Sequence, residues 1–99
     1  MIFQHDSNAS LTRKLRSVGY RCFVKYLPLF EGRLPSYEAA TYLEEKERFT
    51  APASRTRVSN ARSILDSGQR DAALRIISEA SKVPEAVREA ARTALRNSP

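Results

Sequence analysis

Apolar residues recur along this chain at three- and four-residue intervals, the period of a helix with one buried face. Leu11, Leu15, Val18 and Cys22 set the first stripe, Phe23, Val24 and Leu27 widen it, and a helix is predicted over 11–27. Gly19 weakens that helix and is the point at which it would split. Pro28 ends or kinks it, since proline lacks the backbone N–H and clashes with the preceding turn. Phe30 carries the apolar surface on towards Gly32. A second helix is predicted over 36–47, with Ser36 as an oxygen-bearing cap after Pro35. It turns Ala39, Ala40 and Leu43 inward, sets Tyr37 or Tyr42 at its edge, and leaves Glu38, Glu44, Glu45 and Glu47 outside. Phe49 would plug the corner that follows.

Start and stop signals are clearest for the third helix, over 51–67. Thr50 caps it, Pro52 is tolerated in its first turn, and Gly68 stands where a left-handed residue is wanted. A fourth helix over 69–80 turns Ala73, Leu74, Ile76 and Ile77 inward. After Pro84 a fifth, over 85–96, does the same with Val87, Ala90, Ala91, Ala94 and Leu95, whose mostly small side chains allow close helix approach. No stretch alternates as a strand does. The predicted fold class is all-α, with about five helices in a single domain over 11–99 that follows a flexible N-terminus over 1–10.

Charge and rare residues narrow the chemistry. The net charge of +6 raises the weight of an anionic partner, nucleic acid first. A basic protein that is merely soluble would look the same. The cations are unevenly spread: residues 36–50 carry four Glu against two Lys or Arg, an acidic band between basic segments. Cys22 and His5 are each the single residue of their type, which leaves no internal disulfide and no Cys or His cluster for a metal. A nucleophile–base pair and a phosphate loop are missing as well, so neither an enzyme nor a cofactor is expected. The N-terminal stretch lacks the basic start and apolar core of a signal peptide. No apolar run approaches the roughly 20 residues that span a bilayer. A cytoplasmic protein without a membrane partner is expected.

The third helix carries the most direct functional pattern. At roughly 100° per residue, Val58, Ala61, Ile64 and Leu65 share one arc and face the core. Thr56, Ser59, Asn60 and Ser63 fall opposite, with Arg55 and Arg62 on one flank. Arg57 lies on the other flank, close enough to the core edge for its stem to pack. Arginine forks to guanine or phosphate, asparagine pairs with the adenine edge, and small hydroxyls contact phosphates at close range. Arg55, Thr56, Arg57, Ser59, Asn60 and Arg62 are therefore the candidate DNA-binding residues, with the positive helix N-terminus as a further phosphate site. An ordinary solvated face would show the same residues. Arg13, Lys14 and Arg16 form a basic arm that could lie along phosphates. Arg88, Arg92 and Arg96 make a stripe on the last helix, where Glu85 and Glu89 are placed to pair with it.

Helices two and three together resemble a helix-turn-helix over 36–67, S-Y-E-A-A-T-Y-L-E-E-K-E-R, a break at F-T-A-P, then A-S-R-T-R-V-S-N-A-R-S-I-L. The resemblance implies a three-helix core in which 36–47 braces and 51–67 enters the major groove as the recognition helix. It implies a small bacterial or phage transcriptional regulator or accessory factor. The break is longer than the repressor-type turn and lacks its glycine. A second resemblance runs over 54–84, where Ala61, Gly68, Ala73, Ala80 and Pro84 are spaced as in a tetratricopeptide hairpin. Arg57 and Asn60 occupy positions where that family wants large apolar groups, and no second copy follows. The alternative it implies is a helical protein-interaction module: an adaptor, an inhibitor or an antitoxin-like partner. The C-terminal hairpin would then brace the core, meet a protein partner or pair two copies in a homodimer.

Overall fold

The computed structural model describes the backbone of residues 2–97 and the side chains of residues 9–97, and every regular element among them is helical. The order is α1 Ile2–Val18, α2 Tyr20–Lys25, α3 Leu27–Glu31, α4 Ser36–Glu47, α5 Ala51–Asp66, α6 Arg70–Glu79 and α7 Glu85–Arg96. The all-α expectation holds, but seven helices stand where about five were predicted. The three extra boundaries and extensions all lie in the first stripe. α1 begins at Ile2, so the backbone of 2–10, assigned from sequence to a flexible tail, continues the helix; no glycine or proline interrupts it. The single predicted helix over 11–27 breaks at Gly19, whose φ of 93° is open only to a residue without Cβ strain. It breaks again at Tyr26, φ −107° and ψ 20°, because Pro28 must sit in the first turn of its own short helix. His5 lies outside the residues whose side chains are described.

The other predicted boundaries agree closely. Thr50 Oγ1 accepts from the Ala53 N–H at 3.2 Å and caps α5. At the far end Gly68 takes φ 75°, and the N–H groups of Gly68 and Gln69 donate to the carbonyls of Leu65 and Ile64. That pair of bonds is a Schellman closure, which satisfies carbonyls the helix leaves open. Ser36 is not the cap of α4. Pro35 takes that place, and the Ser36 hydroxyl instead accepts from Arg62.

One core joins all seven helices. α1 to α3 contribute Leu11, Leu15, Val18, Phe23, Leu27 and Phe30, with the Phe23 and Phe30 rings stacked at 6.3 Å. α4 adds Ala39, Ala40 and Leu43; α5 adds Val58, Ala61 and Ile64; α6 adds Leu74 and Ile77. Ala91 seals α7 against this core, whereas Ala90, predicted to face inward, is exposed. α5 is the centre of the arrangement. α1 runs antiparallel along one flank, shown by Lys14 bonding Ser63 and Asn60 bonding Ser17. α4 lies on the other, its first residue at Arg62 and its last joined to α5 by three residues. α6 and α7 pack together as a hairpin, and α7 closes on α2.

Candidate nucleic-acid interface

Because helices cover both flanks of α5 and the core takes its base, only a strip of its surface reaches solvent. Pro52, Arg55, Thr56, Ser59 and Asp66 are its exposed residues, an arc of roughly 100° on the wheel. Asp66 is the one carboxylate, at the C-terminal end. The N-terminal half of the strip is cationic and hydroxylic.

The structure separates the six predicted α5 residues into two groups. Arg55, Thr56 and Ser59 lie exposed on the strip. Arg57, Asn60 and Arg62 are half-buried and engaged within the fold. Arg57 lays its guanidinium over the Phe49 ring, 3.9 Å from the centroid, and Nη1 donates to the carbonyl of Val18. Arg62 reaches across to the end of α3: Nε donates to the Phe30 carbonyl at 3.1 Å and Nη2 to that of Leu29 at 3.2 Å. Its Nη1 donates to Ser36 Oγ at 3.0 Å. Both arginines therefore close helix ends, where carbonyls lack intrahelical partners. Asn60 Nδ2 donates to Ser17 Oγ at 3.0 Å, which commits its amide to the α1–α5 seam.

Along that seam α1 adds its own polar row. Lys14 Nζ donates to Ser63 Oγ at 2.8 Å, and a shallow groove of 350 Å³ is lined by Ser10, Arg13, Lys14, Ser17 and Asn60. A hydroxyl-rich depression on the other side of the strip collects Ser36, Ser59, Ser63 and Ser67. Ser10 and Ser17 were not among the predicted site residues. Their signal was present: Ser10, Arg13, Lys14 and Ser17 recur at helical spacing on the side of α1 away from Leu11, Leu15 and Val18. Arg13 and Arg16 are exposed, and with Arg55 they have no ion pair among the described residues.

Several other cations are engaged locally, whereas Arg33, Lys46, Arg48, Arg75 and Lys82 are exposed without an ion pair among the described residues. Glu47 gathers Lys25 at 2.8 Å, Arg21 at 3.4 Å and the Tyr26 hydroxyl. The Lys25 and Tyr26 hydrogen bonds hold its carboxyl down at about 2, while burial and that same bond push the Tyr26 phenol up to about 12. On α7, Arg88 pairs with Glu85, Arg92 with Glu85 and Glu89, and Arg96 with Glu89. The predicted basic stripe there is paired surface, and Arg88 and Arg92 also donate to the carbonyls of Ala80 and Ser78 at the end of α6. Cys22 is buried, and burial raises its thiol pKa despite the nearby Arg57. Among the described residues no three His, Cys, Asp or Glu side chains converge on a metal position, and no helix is long and apolar enough to cross a membrane.

Comparison of the chain with family models, with curated proteins and with solved structures finds no match.

Proposed function

We propose that this protein binds DNA through the face that α1 and α5 build together, holding mainly the phosphate backbone. The observation that carries the reading is that α1 and the α5 strip carry unpaired Arg13 and Arg55, Lys14 and a field of hydroxyls, with Asp66 the one carboxylate of the strip, while eight other cations among the described residues are bound to carboxylates or carbonyls. Phosphate contacts of this kind position a duplex and supply affinity that falls steeply with salt. Base reading, if α5 acts as the recognition helix of a helix-turn-helix-like core, falls to Arg55, Thr56 and Ser59. Arg55 and Thr56 occupy its N-terminal half, the part that such helices present to base edges, and Ser59 follows at its middle. Arg57 and Arg62 serve by holding α5 in place. In this reading the chain is a DNA-binding regulator or accessory factor.

Fluorescence anisotropy on a labelled duplex tests the reading directly. Binding at about 50 mM salt that weakens sharply by about 200 mM supports it. The double substitution Arg13→Ala, Arg55→Ala should lower the salt slope by about 2, one unit per phosphate contact. No binding at the lower salt, or an unchanged slope in the double variant, overturns it.

A second reading draws on the outside of α4. Leu34, Tyr37 and Tyr42 are exposed there, Tyr37 at 68%, beside Glu38 and Glu45. Such an aromatic, acidic surface suits a basic protein partner, and binding there would respond to Tyr37→Ala but not to Arg55→Ala.

A further inference from the structure

A second cationic groove lies where α1 gives way to α2 and faces the loop between α6 and α7. Arg16, Arg21 and Lys82 line it together with Tyr20, Val83 and Pro84. The volume is 470 Å³, and no carboxylate lines it. Arg16 and Lys82 are exposed without an ion pair among the described residues; Arg21 is 60% exposed and shares Glu47 at 3.4 Å with Lys25.

We infer that this groove is a second phosphate-binding station, which extends the nucleic-acid track from the α1–α5 face across α1 to the α6–α7 loop. The inference rests on the DNA-binding reading above and adds a site to it. Its first support is charge: three cations converge from three different elements with no acid among them, so an anion entering the groove meets attraction from each side. The second is continuity. Arg13 and Arg16 are three residues apart on one helix, hence neighbours on its surface. A sugar–phosphate strand held at Arg13 therefore meets Arg16 next and is delivered to Lys82. The third is the rest of the lining, where the Tyr20 and Ser81 hydroxyls can donate to a phosphate and Val83 and Pro84 give the sugar edge an apolar bed. An acidic peptide matches the groove's charge, but the hydroxyl-rich α1–α5 face that leads into it suits a phosphate backbone better.

Three labelled probes decide the matter: a duplex, a single-stranded oligothymidylate and a polyglutamate peptide. They are titrated against wild type, Arg16→Glu with Lys82→Glu, Lys82→Ala, and Arg13→Ala with Arg55→Ala. The groove residues altered are exposed, and thermal melting confirms that each variant keeps the wild-type fold. The expected result is nucleic-acid binding weakened about tenfold or more in the charge-reversed variant, and a salt slope lower by about 1 in Lys82→Ala. A loss seen on the duplex, on the single strand or on both assigns the source of the phosphate, and each supports the station. Wild-type affinity and slope in both groove variants, with binding lost in the Arg13, Arg55 variant, overturns the groove and leaves the α1–α5 face standing. Absence of binding by the wild type overturns both. Polyglutamate binding lost in the groove variants while nucleic acid is unaffected makes the groove a peptide site and overturns the station.

Discussion

Arg57 donates a hydrogen bond to the carbonyl of Val18, the last residue of α1 and 39 positions away in sequence. The same guanidinium fills the space beside Gly19: a Cβ there would stand 3.0 Å from Nη1. Gly19 also has φ 93°, so any side chain is strained before it meets the arginine. Gly19→Ala should therefore cost about 1–3 kcal/mol of stability, more than either strain or crowding on a free surface. Arg57→Ala removes the hydrogen bond and the contact with Phe49 and should also destabilise. Because the two residues share one space, their effects should combine to less than the sum in a double-mutant cycle read by denaturant unfolding. Strict additivity would mean that the guanidinium does not set the cost at Gly19.

The interior of α5 yields a prediction of opposite sign. Ser54 is wholly buried, and its Oγ has no hydrogen-bond partner among the described residues. A buried hydroxyl without a partner loses its water and gains nothing in return. Ser54→Ala should raise the stability by about 1 kcal/mol, measured as a higher denaturant midpoint at unchanged slope. Destabilisation would place a partner on that hydroxyl.

These relationships mark the limit of what the linear pattern reveals. The inner arcs of α4, α5 and α6, the Thr50 cap and the Gly68 closure were legible because periodicity and cap chemistry are local. Arg62 read as a surface charge, and of Arg57 only the packing of its stem was legible, since in sequence an arginine near polar residues has no visible acceptor. Their acceptors are carbonyls at the ends of α1 and α3, brought close only when those helices pack on α5. The split at Gly19 was legible in the glycine itself, but the break at Tyr26 was not, because an apolar stripe that stays in phase across a corner hides the corner. On the α1 side Arg13 and Lys14 were legible as a basic arm, whereas Ser10 and Ser17, though spaced with them, acquire meaning only beside Asn60 and Ser63.

Acid should loosen the α2–α4 corner. The Glu47 carboxyl titrates at about 2 in the folded chain against an ordinary 4.5, so the fold favours its charged form. The stability this supplies is fully present above pH 4.5 and is lost as pH falls towards 2. Glu47→Gln should cost about 2 kcal/mol near neutrality, for hydrogen bonds to a charged group. Its deficit relative to wild type should shrink as the pH is lowered below 4.5, since the wild-type carboxyl then protonates as well. Tyr26 works in the other direction: with its phenol raised to about 12, its contribution holds below pH 10 and fades as pH rises towards 12. A deficit independent of pH between 5 and 2.5, followed by thermal melting, would show that Glu47 gains nothing from its charge.

The division of α5 into exposed and engaged residues separates binding from stability. Ser59 is exposed in the middle of the strip and lines the hydroxyl depression beside Arg62. Ser59→Glu sets a carboxylate where phosphates would lie and touches no core residue, so stability should stay within about 0.5 kcal/mol of wild type. Duplex affinity at low salt should fall about tenfold or more, through repulsion and the loss of close approach. Arg62→Ala should behave in reverse. It removes the arginine's bond to the Phe30 carbonyl, leaves that of Leu29 to the Gly32 N–H alone and should destabilise by about 2 kcal/mol, while binding below the melting temperature changes little. Lysine at 62 should not restore it, because one ammonium cannot reproduce the planar fork that spans those acceptors. If Arg62→Ala abolished binding at full stability while Ser59→Glu left it intact, the contact surface would have to move from the exposed strip to the α3 side of α5.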